Sequence, residues 1–145
     1  MQDSRLHMAL FDDHVGIWCG THIVLDSHGR EKDRFEATVM CRREGLRWVQ
    51  TTTRAWPDGR VAESEFFGTF DTAGVLHYEH PHVLGEGREV GGRDIISIWR
   101  DPDEPDIRYA AIITLLSQDR RIRTVQKIQG DKLVARILIS EARVP

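Results

Sequence analysis

Short segments of alternating polar and apolar residues recur along the chain, separated by clusters of turn-forming residues. The clusters at 56–59 (Trp-Pro-Asp-Gly) and 71–74 (Asp-Thr-Ala-Gly) are examples; proline presets one turn dihedral and glycine accepts a positive one. Successive side chains of a strand point to opposite faces, so each alternating segment predicts a half-buried strand. No long helical pattern intervenes, which favours an all-β fold.

The predicted strands follow one another as in an antiparallel meander. They are residues 17–25, 34–42, 46–53, 60–70, 75–79, 93–100, 107–116, 121–129 and 132–143. About eight to nine such strands suit an up-and-down barrel, since closure removes exposed strand edges and leaves room for one small ligand. Residues 5–10, after the possible N-caps Asp3 and Ser4, predict a short helix across the bottom of the barrel. The glycine-rich segment 80–92 predicts a loop at the cavity mouth.

The composition is that of one globular domain spanning residues 1–145, with 40% hydrophobic and 30% charged residues. A net charge of -3 lacks the basic surplus of most nucleic-acid-binding domains, so we expect no nucleic-acid partner. We expect no membrane partner, no signal peptide and a cytoplasmic location, because no apolar run is long enough and the first residues are acidic. Cys19 and Cys41 are too few for a disulfide framework and are predicted to be small buried hydrophobic residues.

The first predicted strand begins with a Gly-x-Trp-x-Gly motif centred on Trp18. Trp18 and His22 are four residues apart and therefore point to the same face. If that face is the inside of the barrel, Trp18 plugs one end and His22 reaches into a cavity. An imidazole can move a proton near neutral pH, so His22 is a candidate general acid or base, with Glu65 or Glu79 as an inward carboxylate. The simpler alternative is a histidine that is hydrogen-bonded in the core or orients a ligand.

Aromatic side chains on the predicted strands indicate an apolar pocket with a few polar tips, which is the usual composition of a small-molecule site. Strand parity puts Trp48 and Gln50 on one face, and it leaves space for a ligand beside Tyr109 at the small Ala111. The predicted ligand-binding residues are Trp18, Trp48, Gln50, Phe67, His77, Tyr109 and Arg136. The alternative is that the aromatic side chains simply fill the core.

Three histidines and a glutamate occur together in the segment 77–82, HYEHPH. Imidazoles and a carboxylate can hold a metal ion. Pro81 breaks the strand register between them, so we predict histidines near solvent and no metal site.

A basic run adjoins the acidic turn 101–106, and both are predicted to be solvated faces. The run consists of Arg120, Arg121, Arg123 and Lys127. A self-complementary contact between the two would support a homodimer. The sequence contains no phosphate loop, dinucleotide-binding, Gly-x-Ser-x-Gly or His-Glu-x-x-His motif, which argues against those chemistries and favours a protein without cofactors.

Three short motifs accompany the strand pattern. They are Phe11, His14, Gly16, Trp18, Gly20 and Thr21 at the front, Gln50-Thr51-Thr52 with the Asp58-Gly59 hairpin, and the final Ile139-Ser140-Glu141-Ala142-Arg143. With these motifs the chain resembles the calycin superfamily of lipocalins and fatty-acid-binding proteins, and more closely the bacterial lipocalin-like domains of the nitrobindin and bilin lyase group.

The resemblance implies a lipocalin-like barrel over nearly the whole chain. It also implies that Trp18 packs under an arginine of a late strand, for which Arg123, Arg136 and Arg143 are candidates. Nitrobindin holds haem on a late histidine, whereas the last histidine of this chain is His82. Haem binding of that type is therefore not expected.

Two functions are consistent with these features. The first is binding of a small, mostly apolar organic molecule inside the barrel, in contact with His22, Trp48, Gln50 and Tyr109. The second is a cofactor-free isomerase or cyclase that acts on a small, natural-product-like molecule with His22 as the proton-transfer group. Barrels of this type host both functions, so the fold alone does not choose between them. A third alternative is an interaction domain without a cavity.

Overall fold

The computed structural model describes residues 4–145, with side chains from residue 8 onward. One helix precedes ten strands. These elements are α1 (Ser4–Asp12), β1 (Gly16–Asp26), β2 (Glu31–Glu44), β3 (Arg47–Ala55), β4 (Val61–Phe70), β5 (Leu76–His80), β6 (Val83–Val90), β7 (Asp94–Arg100), β8 (Ile107–Ser117), β9 (Arg120–Gln129) and β10 (Lys132–Arg143). Each strand pairs with the next in sequence, and β10 pairs with β1, so the sheet closes into a barrel. The predicted all-β, antiparallel up-and-down barrel with a short N-terminal helix is confirmed.

The strand that sequence reasoning missed is β6. It lies inside the glycine-rich segment 80–92, which was predicted to be a loop and instead forms β6 between two tight turns. Gly85 faces the backbone of β7 so closely that a Cβ there would collide with the carbonyl oxygen of Ile98. Glycine therefore allows this close strand approach, where it usually signals a loop. The barrel has ten strands because of this segment.

The two ends of the barrel differ. Because neighbouring strands are antiparallel, the turns alternate between an end where β1 begins, here called the closed end, and an end where β1 finishes, called the open end. Helix α1 covers the closed end, as predicted. Phe11 of α1 makes edge contacts with Phe70 and Trp48, at ring-centroid distances of 4.9 and 5.8 Å. The backbone N–H of Leu10 donates to Glu89 Oε1 at 2.7 Å. The possible cap Asp3 lies outside the described residues.

The main hydrophobic core fills the closed half. It consists of Met8, Phe11, Trp18, Val39, Cys41, Trp48, Phe70, Leu76 and Ile95. A much smaller hydrophobic cluster lies on strands β8, β9 and β10. It consists of Ala111, Val125 and Ile139. Large side chains thus pack one half of the interior, and smaller ones leave space in the other half.

The two cysteines face opposite sides of the barrel wall. Cys41 is buried in the core, as predicted, and burial raises the pKa of its thiol. Cys19 is exposed beside Thr38, which corrects the prediction that it is buried. The reason is parity, because Cys19 is adjacent to the inward-facing Trp18 and so points outward. None of the helices among the described residues is long and apolar enough to cross a bilayer.

Candidate functional site

A cavity of about 530 Å³ lies inside the barrel toward the open end. This volume is within the range of about 300–1,000 Å³ that is usual for small-molecule sites. Its apolar wall includes Phe35, Trp99, Tyr109, Ala111, Val125 and Ile139. The Trp99 and Tyr109 rings stack with centroids 5.3 Å apart and planes inclined by 8°. They form a flat aromatic surface next to the small Ala111 side chain.

Four of the predicted site residues line this cavity: His22, Trp48, Gln50 and Tyr109. His22 is on β1, while Trp48 and Gln50 share the inner face of β3. Trp48 Nε1 donates to Gln50 Oε1 over a long 3.5 Å, and the Cys41 thiol also points at that oxygen. The Gln50 carboxamide nitrogen makes no hydrogen bond with a described residue and so has donors available for a ligand.

Trp18 closes the barrel below the cavity and does not line it. Its indole is fully buried, and two guanidinium groups, those of Arg121 and Arg143, lie over it at 4.4 and 4.3 Å from a ring centroid. Its Nε1 donates to the carbonyl of His14 at 3.0 Å. Arg143 is thus one of the arginines that the resemblance proposed as a partner of Trp18. Arg121, the second arginine over the indole, is not among those candidates.

Four predicted site residues lie on the outer face of the barrel instead of the inner one. They are Phe67, His77, Glu79 and Arg136. In β4 it is Phe66 that points inward, against Tyr78 of β5 at 5.3 Å. Phe67 therefore faces outward under the Arg47 guanidinium. Alternation correctly separates Phe66 from Phe67, but it does not show which face of β4 is buried, because both faces carry a phenylalanine. The prediction that Phe67 faces the cavity is therefore wrong.

The same parity turns the neighbours of Tyr78 outward. His77 is exposed and bonds Asp71 Oδ2 at 2.7 Å, so it does not converge with His80 and His82 at the rim of the cavity. Glu79 is exposed on the same outer face. Glu65 is also exposed and accepts from Thr51 Oγ1 at 3.2 Å, touching only the edge of the cavity. Neither glutamate is the inward partner predicted for His22.

The floor of the cavity contains a buried ionic cluster of Arg121, Arg123 and Glu141. Glu141 Oε1 accepts from Nε of Arg121 at 2.8 Å and from Nε of Arg123 at 2.7 Å, and Oε2 accepts from Nη2 of Arg123 at 3.1 Å. Burial opposes ionisation of Glu141, but the two guanidinium groups outweigh it and hold its pKa at about 2. Glu141 is 1% exposed and Arg121 3% exposed. The cluster is therefore ionised inside the barrel.

This cluster corrects the prediction that the basic run is a solvated face. Arg121 and Arg123 share the inner face of β9 by alternation, and Glu141 of β10 faces them there. Two of the four basic groups proposed for a homodimer contact are therefore on the interior side of the wall.

His22 and His14 each have a buried ring nitrogen, Nε2, without a hydrogen-bond partner among the described residues. Burial, followed by the charge of Arg123, lowers the pKa of His22 to about 4. Burial, followed by the charge of Arg121, lowers the pKa of His14 to about 3. Both rings are therefore neutral near pH 7. His14 Nδ1 lies 3.1 Å from Arg121 Nη1 and accepts from it. His22 is 5% exposed and lines the cavity, and its Nε2 is a polar atom that the described residues leave unpaired.

The two buried histidines make the stability of the protein dependent on pH. Their pKa values are about 4 and 3 in the folded state, against an ordinary 6.5. Below pH 6.5 the unfolded chain binds protons that the folded protein does not, so stability present above that pH is lost as the pH falls toward 4. We expect the free energy of unfolding to drop by up to about 1.4 kcal/mol per pH unit for each histidine.

Urea titrations between about pH 7 and 4.5 measure this slope. We expect His22→Gln to reduce the slope of the unfolding free energy against pH by the contribution of one histidine. The same change at the exposed His28 should leave the slope unaltered. A free energy of unfolding that stays constant over this range would contradict the assignment.

Arg54 is a cavity residue that the sequence analysis did not select. It lies on the inner face of β3 with Trp48, Gln50 and Thr52, and its Nη1 donates to Ser64 Oγ at 2.9 Å. Burial, and then the charge of Arg123, lowers the pKa of its guanidinium. Strand parity predicts this inward position, because Arg54 is an even number of residues from Trp48. Composition argues against it, because arginine is normally exposed.

No protein-family model matches the chain, and no curated protein matches it. Solved structures do resemble it. An S-type phycobiliprotein lyase, CPES from Guillardia theta, superposes with a TM-score of 0.78 at 12% identity, over 98% of this chain and 95% of that one. Rv2717c from M. tuberculosis gives a TM-score of 0.68 at 14% identity, over 95% and 97% of the two chains.

A third similar structure belongs to a larger protein. It is a protein of unknown function from the DUF3598 family of Nostoc punctiforme, with a TM-score of 0.71 at 18% identity over 92% of this chain. The present chain spans about half of it, 48%. At these identities the likeness is one of fold, and the fold is a closed antiparallel β-barrel.

Proposed function

We propose that the protein binds one small, mostly apolar organic molecule inside its barrel. The observation that carries this proposal is the cavity of about 530 Å³, closed at one end by Trp18 and α1 and lined mainly by aromatic and aliphatic side chains. The stacked Trp99 and Tyr109 supply a flat apolar surface. His22 and Gln50 supply polar contacts that fix the ligand's orientation.

The similar structures support this proposal through fold. One of them is a phycobiliprotein lyase that matches nearly the whole chain. A fold hosts many functions, so the cavity itself is the stronger support. The finer assignment to the nitrobindin and bilin lyase group remains part of the proposal.

The alternative of a cofactor-free isomerase or cyclase has less support from the geometry. It needs a carboxylate beside His22, and the predicted partners are on the outer face (Glu79) or at the cavity edge (Glu65). Glu141 is occupied by two arginines. With a pKa of about 4, His22 is also a weak base at neutral pH. Binding is therefore the function that we propose first.

Filling the cavity tests the proposal. Ala111 is 4% exposed on the inner face of β8, beside the stacked rings. We expect Ala111→Trp to reduce the affinity for the neutral fluorescent probe N-phenyl-1-naphthylamine at least about tenfold, because the indole takes the place of the probe. A fluorescence titration measures this affinity.

The matched control is Ile112→Trp at the adjacent residue, which is 45% exposed and points outward. We expect it to bind the probe like the wild type. Equal binding by both variants, or no binding by the wild type, would contradict an internal site.

A further inference from the structure

The inner wall of the barrel carries more positive than negative charge. Three guanidinium groups face the cavity, those of Arg54, Arg121 and Arg123. Two carboxylates lie near them: Glu141, whose two oxygens accept from Arg121 and Arg123, and the exposed Glu65 at the cavity edge, which accepts from Thr51 Oγ1. His22 is neutral there. The interior is therefore cationic, and Arg54 is the part of it that Glu141 does not neutralise.

Arg54 has no ion-pair partner among the residues whose side chains the structure describes. Its recorded hydrogen bond goes to an uncharged group, Ser64 Oγ, at 2.9 Å. The guanidinium is half-buried in the cavity wall. A cation that is partly removed from water is costly unless an anion or several acceptors face it. The fold thus holds a charge that its own described side chains leave unpaired.

Two other polar groups that line the cavity have hydrogen-bonding atoms without a partner among the described residues. His22 Nε2 is buried without a partner among the described residues. Arg123 uses Nε and Nη2 for Glu141, and its Nη1 makes no hydrogen bond with a described residue. Arg54 and Arg123 both act on the pKa of His22, and Arg123 acts on that of Arg54. All three groups line the same cavity, and Ile139 pairs with both His22 and Arg123 in the sheet, so these two lie at the same level of the barrel.

We propose that the ligand is an amphipathic organic acid whose anionic group binds at Arg54, with His22 and Arg123 beside it. This inference rests on the proposed function and specifies its ligand class. The apolar body of the acid lies against the Trp99 and Tyr109 surface. Guanidinium groups suit this role because they offer several donors in a fixed plane to one acid group.

Two related probes separate charge from shape. 8-Anilinonaphthalene-1-sulfonate and N-phenyl-1-naphthylamine share the same ring system, and the first adds an anionic sulfonate. We expect the wild type to bind the sulfonate at least about tenfold more tightly than the neutral probe, because a charge-assisted hydrogen bond contributes about 1.5–3 kcal/mol.

Arg54→Gln is the test variant. We expect it to weaken binding of the sulfonate about tenfold and to change binding of the neutral probe by less than about twofold. Arg54→Lys keeps the charge and should retain most of the preference. Arg42→Gln removes one arginine from the outer face of β2 and should change neither affinity. Circular dichroism checks that each variant is folded.

The outcomes distinguish this inference from the proposed function. If the wild type binds neither probe, the proposed function fails, and the acid class with it. If the wild type binds both probes with equal affinity inside the cavity, or if Arg54→Gln weakens both equally, only the acid class is overturned. If Ala111→Trp loses affinity for both probes, the binding that is measured takes place inside the cavity.

Discussion

Glu141→Gln is expected to lower the free energy of unfolding by about 3–5 kcal/mol. The substitution keeps the shape of the side chain and removes its charge. Arg121, which is almost fully buried, then loses its counterion, and Arg123 loses it too. Breaking a buried ion pair is costly because the remaining charge stays away from water without compensation. Urea denaturation followed by circular dichroism measures the loss.

The control for this variant is Glu79→Gln, which removes an exposed carboxylate from the outer face. We expect it to change stability by no more than about 0.5 kcal/mol. The pH provides a second check. The pKa of Glu141 is about 2 in the folded protein, below its ordinary 4.5, so its contribution is present above pH 4.5 and is lost as the pH falls toward 2. The difference in the free energy of unfolding between the wild type and Glu141→Gln should therefore decrease as the pH falls through that range. Equal stability of the two at neutral pH would contradict the assigned role.

Trp18→Ala is the second substitution with a large expected effect, a loss of about 3–5 kcal/mol. The indole is the largest fully buried side chain of the closed half. Its removal leaves a void between α1 and the cavity floor and takes away the ring over which Arg121 and Arg143 lie. Each of these cation–π contacts is worth about 0.5–2 kcal/mol. The denaturation midpoint should fall accordingly.

The neighbouring Ile17 provides the matched control for Trp18. It lies on the outer face of β1, 38% exposed. Ile17→Ala should cost about 1 kcal/mol or less. If both variants unfold at the same urea concentration, Trp18 does not close the barrel as described.

Much of the fold could be predicted from alternation alone. Period-two patterns located nine of the strands, and they placed Trp18 and His22 together on the inner face of β1, where both are buried. The strand β6 was hidden because its glycines resemble a loop. They are needed there for close packing of neighbouring strands.

The candidate site was harder to predict, for two physical reasons. Alternation sorts residues into two faces but does not say which is inside, and in β4 the choice between Phe66 and Phe67 was wrong. Arginine is seldom buried, so the sequence predicts Arg121 and Arg123 at the surface. Their burial depends on Glu141, which lies on the adjacent strand β10 and comes opposite Arg121 through the pairing of β9 with β10.

The central claim is that a small molecule binds in the cavity inside the barrel, above the core that closes one end. The most direct measurement is a set of intermolecular nuclear Overhauser effects between the protein and bound N-phenyl-1-naphthylamine. We predict contacts from the probe to the Ala111 and Ile139 methyl groups and to the His22 ring, all of which line the cavity. Contacts confined to outward-facing methyl groups such as those of Ile112 and Leu138 would contradict the claim.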